Sequence, residues 1–267
     1  MKDAIEIGVF ITRVLFLTEI PLPTRIDLVL SAFISLFRLA IFKQKKVRYF
    51  GHQFVHESIV GPVLIYPHEI ASDLLRQIPG EEIKNVLDIG GNLGQFSITL
   101  ANMKEVERID VVEPNPNIFD ILKSNSSSYE QIRCYNIAIG KPGKQKFYYE
   151  KNKSANGSFI RNNAFFDVGS LKQVTVQVTD KIHSLTGISK YDLIKIDVEG
   201  YEYQVIKHMK GITTKYLFLE ISSNREKDYV TSKLYELLVE RFGPFEVIFQ
   251  GHTGKGVNSF DILLKFV

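Results

Sequence analysis

From Asn85 onward, short runs rich in Val and Ile alternate with stretches of helical spacing, the pattern of βα units that feed a mostly parallel sheet. Strands are predicted at Asn85–Ile89, Arg108–Glu113, Gln131–Ile137, Asp192–Asp197 and Tyr216–Ile221. Helices are predicted at Gln95–Met103, Pro116–Ser124, Gly200–Met209 and Lys227–Arg241. Two further strand-like runs, Phe245–Gln250 and Phe260–Phe266, flank the loop Gly251-His252-Thr253-Gly254-Lys255-Gly256. A parallel crossover needs a dozen or more residues, so this pair must be antiparallel. Between Lys144 and Thr179, the runs Gln145–Glu150 and Gln173–Val178 alternate like strands around a polar stretch from Lys151 to Asn163. That region reads as an excursion beside the sheet, placed to carry substrate contacts.

Residues 1–48 follow a different pattern. Two apolar segments, Ile7–Leu17 and Leu28–Phe42, are separated by Pro21 and Pro23, which predicts a helical hairpin ahead of a domain at residues 49–267. Arg13 and Arg38 interrupt the segments, and a spanning helix wants about 20 predominantly apolar residues, so neither reads as a membrane span. Asp3 and Glu6, with no small-residue cleavage site downstream, argue against a signal peptide. Asp27, Ser31, Ser35 and Arg38 gather into one narrow polar stripe, so most of the second helix must be covered. Residues 1–48 hold eight basic and four acidic side chains, a local charge of +4. A basic, apolar helix pair suits peripheral contact with an anionic membrane, but packing on its own domain or on a second copy in a homo-oligomer explains the same pattern.

Composition narrows the classes. With 45% hydrophobic and 24% charged residues, 267 residues are enough for one sizeable core. A net charge of +3 gives no footprint for nucleic acid. The lone Cys134 excludes an intrachain disulfide and any multi-cysteine zinc site, which fits a reducing, cytoplasmic compartment.

The stretch Val86-Leu87-Asp88-Ile89-Gly90-Gly91-Asn92-Leu93-Gly94 is a buried strand entering a glycine-rich turn and then a helix, a place where a ligand can approach the backbone closely. A dinucleotide fingerprint aligned on Gly90 would put Asn92 and Gln95 where its second and third glycines belong, which weakens a pyrophosphate reading. S-adenosylmethionine has no pyrophosphate and needs only the open turn, with Asp88 able to hold its amino acid part. Glu113 ends the next strand, where a carboxylate can accept hydrogen bonds from both ribose hydroxyls.

These residues resemble the FkbM-type methyltransferases, whose signatures look like Asp-x-Gly-Ala-Asn-x-Gly, Glu-Pro-Asn-Pro and Lys-x-Asp-x-Glu-Gly. The chain has Asp88-Ile89-Gly90-Gly91-Asn92-Leu93-Gly94, Glu113-Pro114-Asn115-Pro116 and Lys195-Ile196-Asp197-Val198-Glu199-Gly200, in that order. The resemblance runs from about Tyr66 onward. Its one departure is Gly91 in place of Ala, expected only to loosen the turn. It implies a Rossmann-like, class I α/β fold, a mostly parallel sheet ending in an antiparallel hairpin. It also implies S-adenosylmethionine as cofactor and methyl transfer to oxygen, often on a sugar, glycolipid or polyketide hydroxyl. By the same resemblance Asn136 and Ala138 would lie beside the adenine.

Asp197, at the carboxyl end of the fourth strand, is the candidate for general base or for orienting the acceptor; capping the following helix is the structural alternative. Lys195 lies on the same strand face and would pair with it. Glu199 and Glu220 bring two more carboxylates to that edge, as catalytic groups, as ligands of a divalent cation or as acids at a helix start. His52, His56 and His68, the last in Tyr66-Pro67-His68-Glu69, precede the domain where a lid with a general base could form. A nicotinamide-dependent oxidoreductase and a non-catalytic module on the same fold are the competing readings. The fingerprint spacing and the terminal hairpin disfavour the first, and the presence of Asp88, Glu113 and Asp197 disfavours the second.

Overall fold

The structure, a computed structural model, describes residues 22–26, 29–30, 33–34, 46–50, 52–55, 74, 77–78, 82–103, 105–150, 153–161, 170–222, 227–251 and 259–267. The central strands are β3 (Asn85–Ile89), β4 (Arg108–Val112), β5 (Ile132–Tyr135), β10 (Lys190–Ile196) and β11 (Thr213–Ser222). They are parallel, and they join β12 (Phe245–Gly251) and β13 (Ser259–Phe266) in one seven-stranded sheet of order β12-β13-β11-β10-β3-β4-β5. β13 runs antiparallel to both β11 and β12, which is the terminal hairpin the short loop required. This is the mostly parallel Rossmann-like sheet of the class I methyltransferases expected from the sequence.

Successive residues of each strand serve opposite faces. Val86, Ile109, Leu193 and Phe218 pack with Ile98, Leu100, Ile118 and Leu122 on one side. These helix residues come from α1 (Gln95–Met103) and α2 (Pro116–Asn125). Leu87, Ile89, Ile194, Ile196, Leu217 and Leu219 pack on the other side with Val205, Ile206, Leu234 and Leu238. Helix α3 (Ile182–Thr186) adds Ile182 to this second face, which is also covered by α4 (Glu202–His208) and α5 (Lys227–Phe242). Burial on both faces explains why these strands read as near-continuous apolar runs.

The excursion is a second sheet of order β6-β9-β7-β8, made of β6 (Ala138–Ile139), β7 (Gly143–Glu150), β8 (Lys153–Ser158) and β9 (Leu171–Thr179). The polar stretch after Lys151 is thus not simply a loop between two strands. Its first half is β8, paired antiparallel with β7 through Tyr148↔Ser158 and Tyr149↔Gly157. Asn-, Ser- and Gly-rich sequence carries little strand propensity, but the ladder on β7 supplies backbone partners that need no side-chain pattern.

Ahead of the domain, β1 (Lys46–Tyr49) and β2 (His52–Val55) form a hairpin that spans the boundary expected after Arg48. Asn125, near the end of α2, holds it by accepting from Val55 N (2.7 Å) and donating to Val55 O (3.0 Å). Of the extension, Val29 packs on the core while Leu22, Ile26, Leu30, Phe33 and Ile34 are exposed. The segment Ile7–Leu17, the stripe at Asp27, Ser31, Ser35 and Arg38, residues His56 and His68, and most of the loop after Gly251 lie outside the described residues. Among the described residues no helix is long and apolar enough to cross a membrane.

Candidate active site

The carboxyl ends of β3, β4 and β10 meet at one cavity, lined by residues of all three strand ends and of the excursion sheet. Gly90 leaves β3 with φ +85, and a Cβ built on it would lie 1.8 Å from the Asp197 carbonyl oxygen. Only glycine lets these two turns cross so closely. The turn is pinned from the other side, since Gly90 N and Gly91 N both donate to Val112 O (3.0 and 3.1 Å). Gly91 does more than loosen the turn: a Cβ there would stand 2.1 Å from Val111 Cγ1. Glycine in place of the family's alanine therefore goes with a β-branched residue on β4.

Asn92 follows with φ +49, and its N–H donates to Glu113 Oε2 at 3.0 Å. Glu113 Oε1 accepts from Asn115 N at 2.8 Å. Each carboxylate oxygen thus accepts one backbone N–H and keeps lone-pair capacity toward the cavity. Asn92 Oδ1 is buried without a hydrogen-bond partner. An orphaned acceptor beside a half-used carboxylate is what a ligand rich in hydroxyl and amino donors would satisfy. Together with a turn that lacks a pyrophosphate cradle, these residues fit S-adenosylmethionine.

Gly90, Asn92, Glu113, Ala138, Asp197 and Glu199 all line the cavity. Asp88 does not. It is fully buried behind the turn, accepting from Ser97 Oγ at 2.6 Å and from Lys195 Nζ at 3.4 Å, contacts that anchor the loop. Gly94 (φ +93) packs beside Leu122. Asn136 is likewise not on the cavity wall; its Nδ2 donates to Glu113 O (2.8 Å) and Pro114 O (3.2 Å), tying the ends of β4 and β5 together. Neither Gly94 nor Asn136 lines the cavity.

Lys195 pairs with Asp197 as the strand spacing required, Nζ to Oδ2 at 3.1 Å, and the register Lys195↔Asp88 brings the second carboxylate beside it. Burial opposes the Lys195 ammonium, but Asp197 and Asp88 outweigh it and hold the pKa above the ordinary lysine value. Glu220 does not line the cavity and stands opposite Asp261 on β13. Burial, then Asp197 and Asp261, pushes its carboxyl well up. Glu199 adopts φ +51, an uncommon region for a side chain of this size, and burial followed by Asp197 and Glu202 raises its carboxyl as well. Among the described residues no set of three His, Cys, Asp or Glu side chains is arranged to hold a metal ion. His52 stands outside the site, edge-on to Tyr129 at 5.2 Å.

Several residues of the site carried no signal in the sequence. Ser97 is one turn inside α1, Ser158 ends β8, and Phe147, Phe159 and Tyr201 reach the cavity from the excursion and from the turn before α4. Glu202 accepts from Gly200 N at 2.8 Å and so closes the turn after Glu199.

Burial raises the Glu202 carboxyl from 4.5 to about 7 and does the same to Glu113. The folded chain therefore holds protons that the unfolded chain releases, and each group's contribution to stability falls as pH rises from about 4.5 to 7. Glu202→Gln is expected to gain stability over the native chain at pH 8 relative to pH 5. Parallel urea midpoints for the two proteins across that range would show that Glu202 does not titrate in this window.

A curated relative, Methyltransferase 1 of Beauveria bassiana (strain ARSEF 2860), is 22% identical across 46% of this chain and 57% of its own length. The match thus spans little more than half of that protein. Among solved structures, the chain is similar to Aeropyrum pernix fibrillarin, solved with S-adenosyl-L-methionine bound, at TM-score 0.48 and 14% identity over 84% of this chain and 83% of that one. It is also similar to the precorrin-6y C5,15-methyltransferase of Geobacter metallireducens GS-15, at TM-score 0.43 and 14% identity over 74% and 89% of the two chains. The family model described as the Methyltransferase FkbM domain matches residues 88–245, from the Asp88 anchor to the start of β12, and the chain belongs to this family of S-adenosylmethionine-dependent methyltransferases.

Proposed function

We propose that the protein is an O-methyltransferase acting on a hydroxyl of a sugar, glycolipid or related small molecule. The observation that carries this reading is the meeting of Glu113 and Asp197, from separate motifs, on one cavity with the glycine turn between them. Bound there, S-adenosylmethionine supplies an electrophilic methyl group on a sulfonium. Glu113 and the Asn92 turn hold the cofactor's polar groups, with Ala138 toward its base. Asp197 has a side chain 25% exposed, while Lys195 beneath it is 4% exposed. The buried ammonium fixes one carboxylate oxygen and leaves the other to orient the acceptor hydroxyl and take its proton as the new C–O bond forms.

Glu113→Ala is expected to weaken S-adenosylmethionine and S-adenosylhomocysteine binding alike, by about 1–3 kcal/mol for the loss of a charged acceptor. Calorimetric titration of both ligands, with NAD as control, tests this. Unchanged affinity would remove Glu113 from the site, and saturable NAD binding in place of the other two would overturn the reading.

A further inference from the structure

Ahead of the domain, residues 22–26, 29–30 and 33–34 are helical. Val29 packs on the core cluster that also buries Phe50, at the turn of the β1–β2 hairpin, and Phe54 on β2. Leu22, Ile26, Leu30, Phe33 and Ile34 are each between 45% and 55% exposed. At helical spacing these five fall within an arc of about 120°. A contiguous apolar stripe of this kind marks a contact surface. The chain that follows it is basic. Between Asp27 and Glu57 the sequence has no acidic side chain, and Arg38, Lys43, Lys45, Lys46 and Arg48 are all cationic. Lys46 and Arg48 belong to β1, and Asn125 ties that hairpin to the domain by bonding both Val55 and, at 2.9 Å, Leu93 O beside the glycine turn. Val29 and the hairpin thus anchor on the same face of the large sheet, the one that carries α1 and α2.

We propose that the apolar stripe and the basic run together form a docking surface for an anionic lipid membrane, on which the protein lies without crossing it. The charge selects this occupant. Anionic headgroups complement five cations that have no acid among them, and each basic side chain close to such a surface adds to the attraction. A second copy of the chain is the poorer match, because an isologous interface pairs identical patches and brings both basic runs to one place. Charge alone gives a contact that salt screens. Leu22, Ile26, Leu30, Phe33 and Ile34 entering the headgroup region add apolar burial, which salt does not screen. The two together supply the pair of signals that stable peripheral anchoring takes. None of these side chains lines the cavity, so the docking surface is separate from the catalytic site.

The test is co-sedimentation of the full chain with vesicles of phosphatidylcholine alone and of phosphatidylcholine and phosphatidylglycerol in equal parts. The native chain is expected to bind the anionic vesicles roughly tenfold or more tightly than the neutral ones. Leu30→Glu combined with Phe33→Glu is expected to abolish that binding, and Lys43→Gln combined with Lys45→Gln to weaken it roughly tenfold. Circular dichroism and urea midpoints check that each variant keeps the native fold. The chain contains no tryptophan, so the milder Phe33→Trp places one indole on the stripe, and its emission is expected to shift to the blue on anionic vesicles. The proposal is overturned if no vesicle binds, if both kinds bind equally, or if the protein sediments while the Phe33→Trp emission stays unchanged, which would reduce the contact to charge alone. It is overturned equally if vesicles do not bind and Leu30→Glu with Phe33→Glu splits a native dimer, which would give the stripe to a second copy.

Discussion

Replacing Asp197 by Asn is expected to lower kcat by about 10²–10⁴-fold, the range for loss of a positioned general base, while S-adenosylhomocysteine affinity stays within about twofold of the native value. Asn keeps the shape and still accepts from Lys195, but it cannot take the proton of an acceptor hydroxyl. The ratio of the two effects is informative because Asp197 shares the cavity with Glu113 and its carbonyl touches the space above Gly90. If kcat fell less than tenfold on an acceptor turned over by the native enzyme, Asp197 would be an orienting group only. If cofactor affinity collapsed alongside, it would belong to the cofactor's binding set.

Lys195→Met is expected to cost about 3–5 kcal/mol of stability, the usual penalty for removing one partner from a buried ion pair. Lys195 bridges Asp88 at 3.4 Å and Asp197 at 3.1 Å, and also sits over the Phe96 ring at 5.5 Å. Methionine conserves the volume, so packing is largely kept and the loss comes from Asp88, which stays fully buried and, among the described residues, keeps the Ser97 hydroxyl as its side-chain partner. Urea denaturation measures it. A loss below about 1 kcal/mol would mean that water reaches Asp88 freely and that the pair is no more than a surface salt bridge in effect. Adding Asp88→Asn to Lys195→Met should recover part of the loss, because the orphaned charge is then gone.

The parts of the fold legible in the sequence are those where backbone geometry restricts residue choice. β3, β10 and β11 are buried on both faces and therefore show as apolar runs. Gly90 and Glu113 stand out because a close backbone crossing and a buried acid held by two backbone N–H groups leave few alternatives. The pairing of Lys195 with Asp197 followed from the two-residue period of a strand. Asp88 was placed correctly at the strand end but not in its contacts, because its partner Ser97 lies on the next helix and no local pattern distinguishes a hydroxyl turned inward from one in solvent. β8 was hidden for a related reason: its order comes from pairing with β7 and not from its own Lys-Ser-Ala-Asn-Gly-Ser composition. Phe159 and Tyr201 are 42 positions apart in the chain, and their segments are brought together by tertiary contacts such as the Ser158 bond to Glu199. Gly91 shows the converse. Its need is steric and set by Val111 on the neighbouring strand, so the motif alone could not reveal it.

The order of strands at the antiparallel end of the large sheet has a consequence for synthesis. β12 precedes β13 in the chain yet lies outside it, so β12 has no sheet partner until β13 has emerged and slotted against β11. Up to that moment the edge of β11 is open, and Leu217 and Leu219, which face Leu264 and Ile262 in the finished ladder, belong to an unpaired strand. An incomplete chain therefore displays a flat apolar edge of the kind that recruits other chains. Pairing of β3, β4 and β5 need not wait for this step, since those strands lie at the opposite end of the sheet.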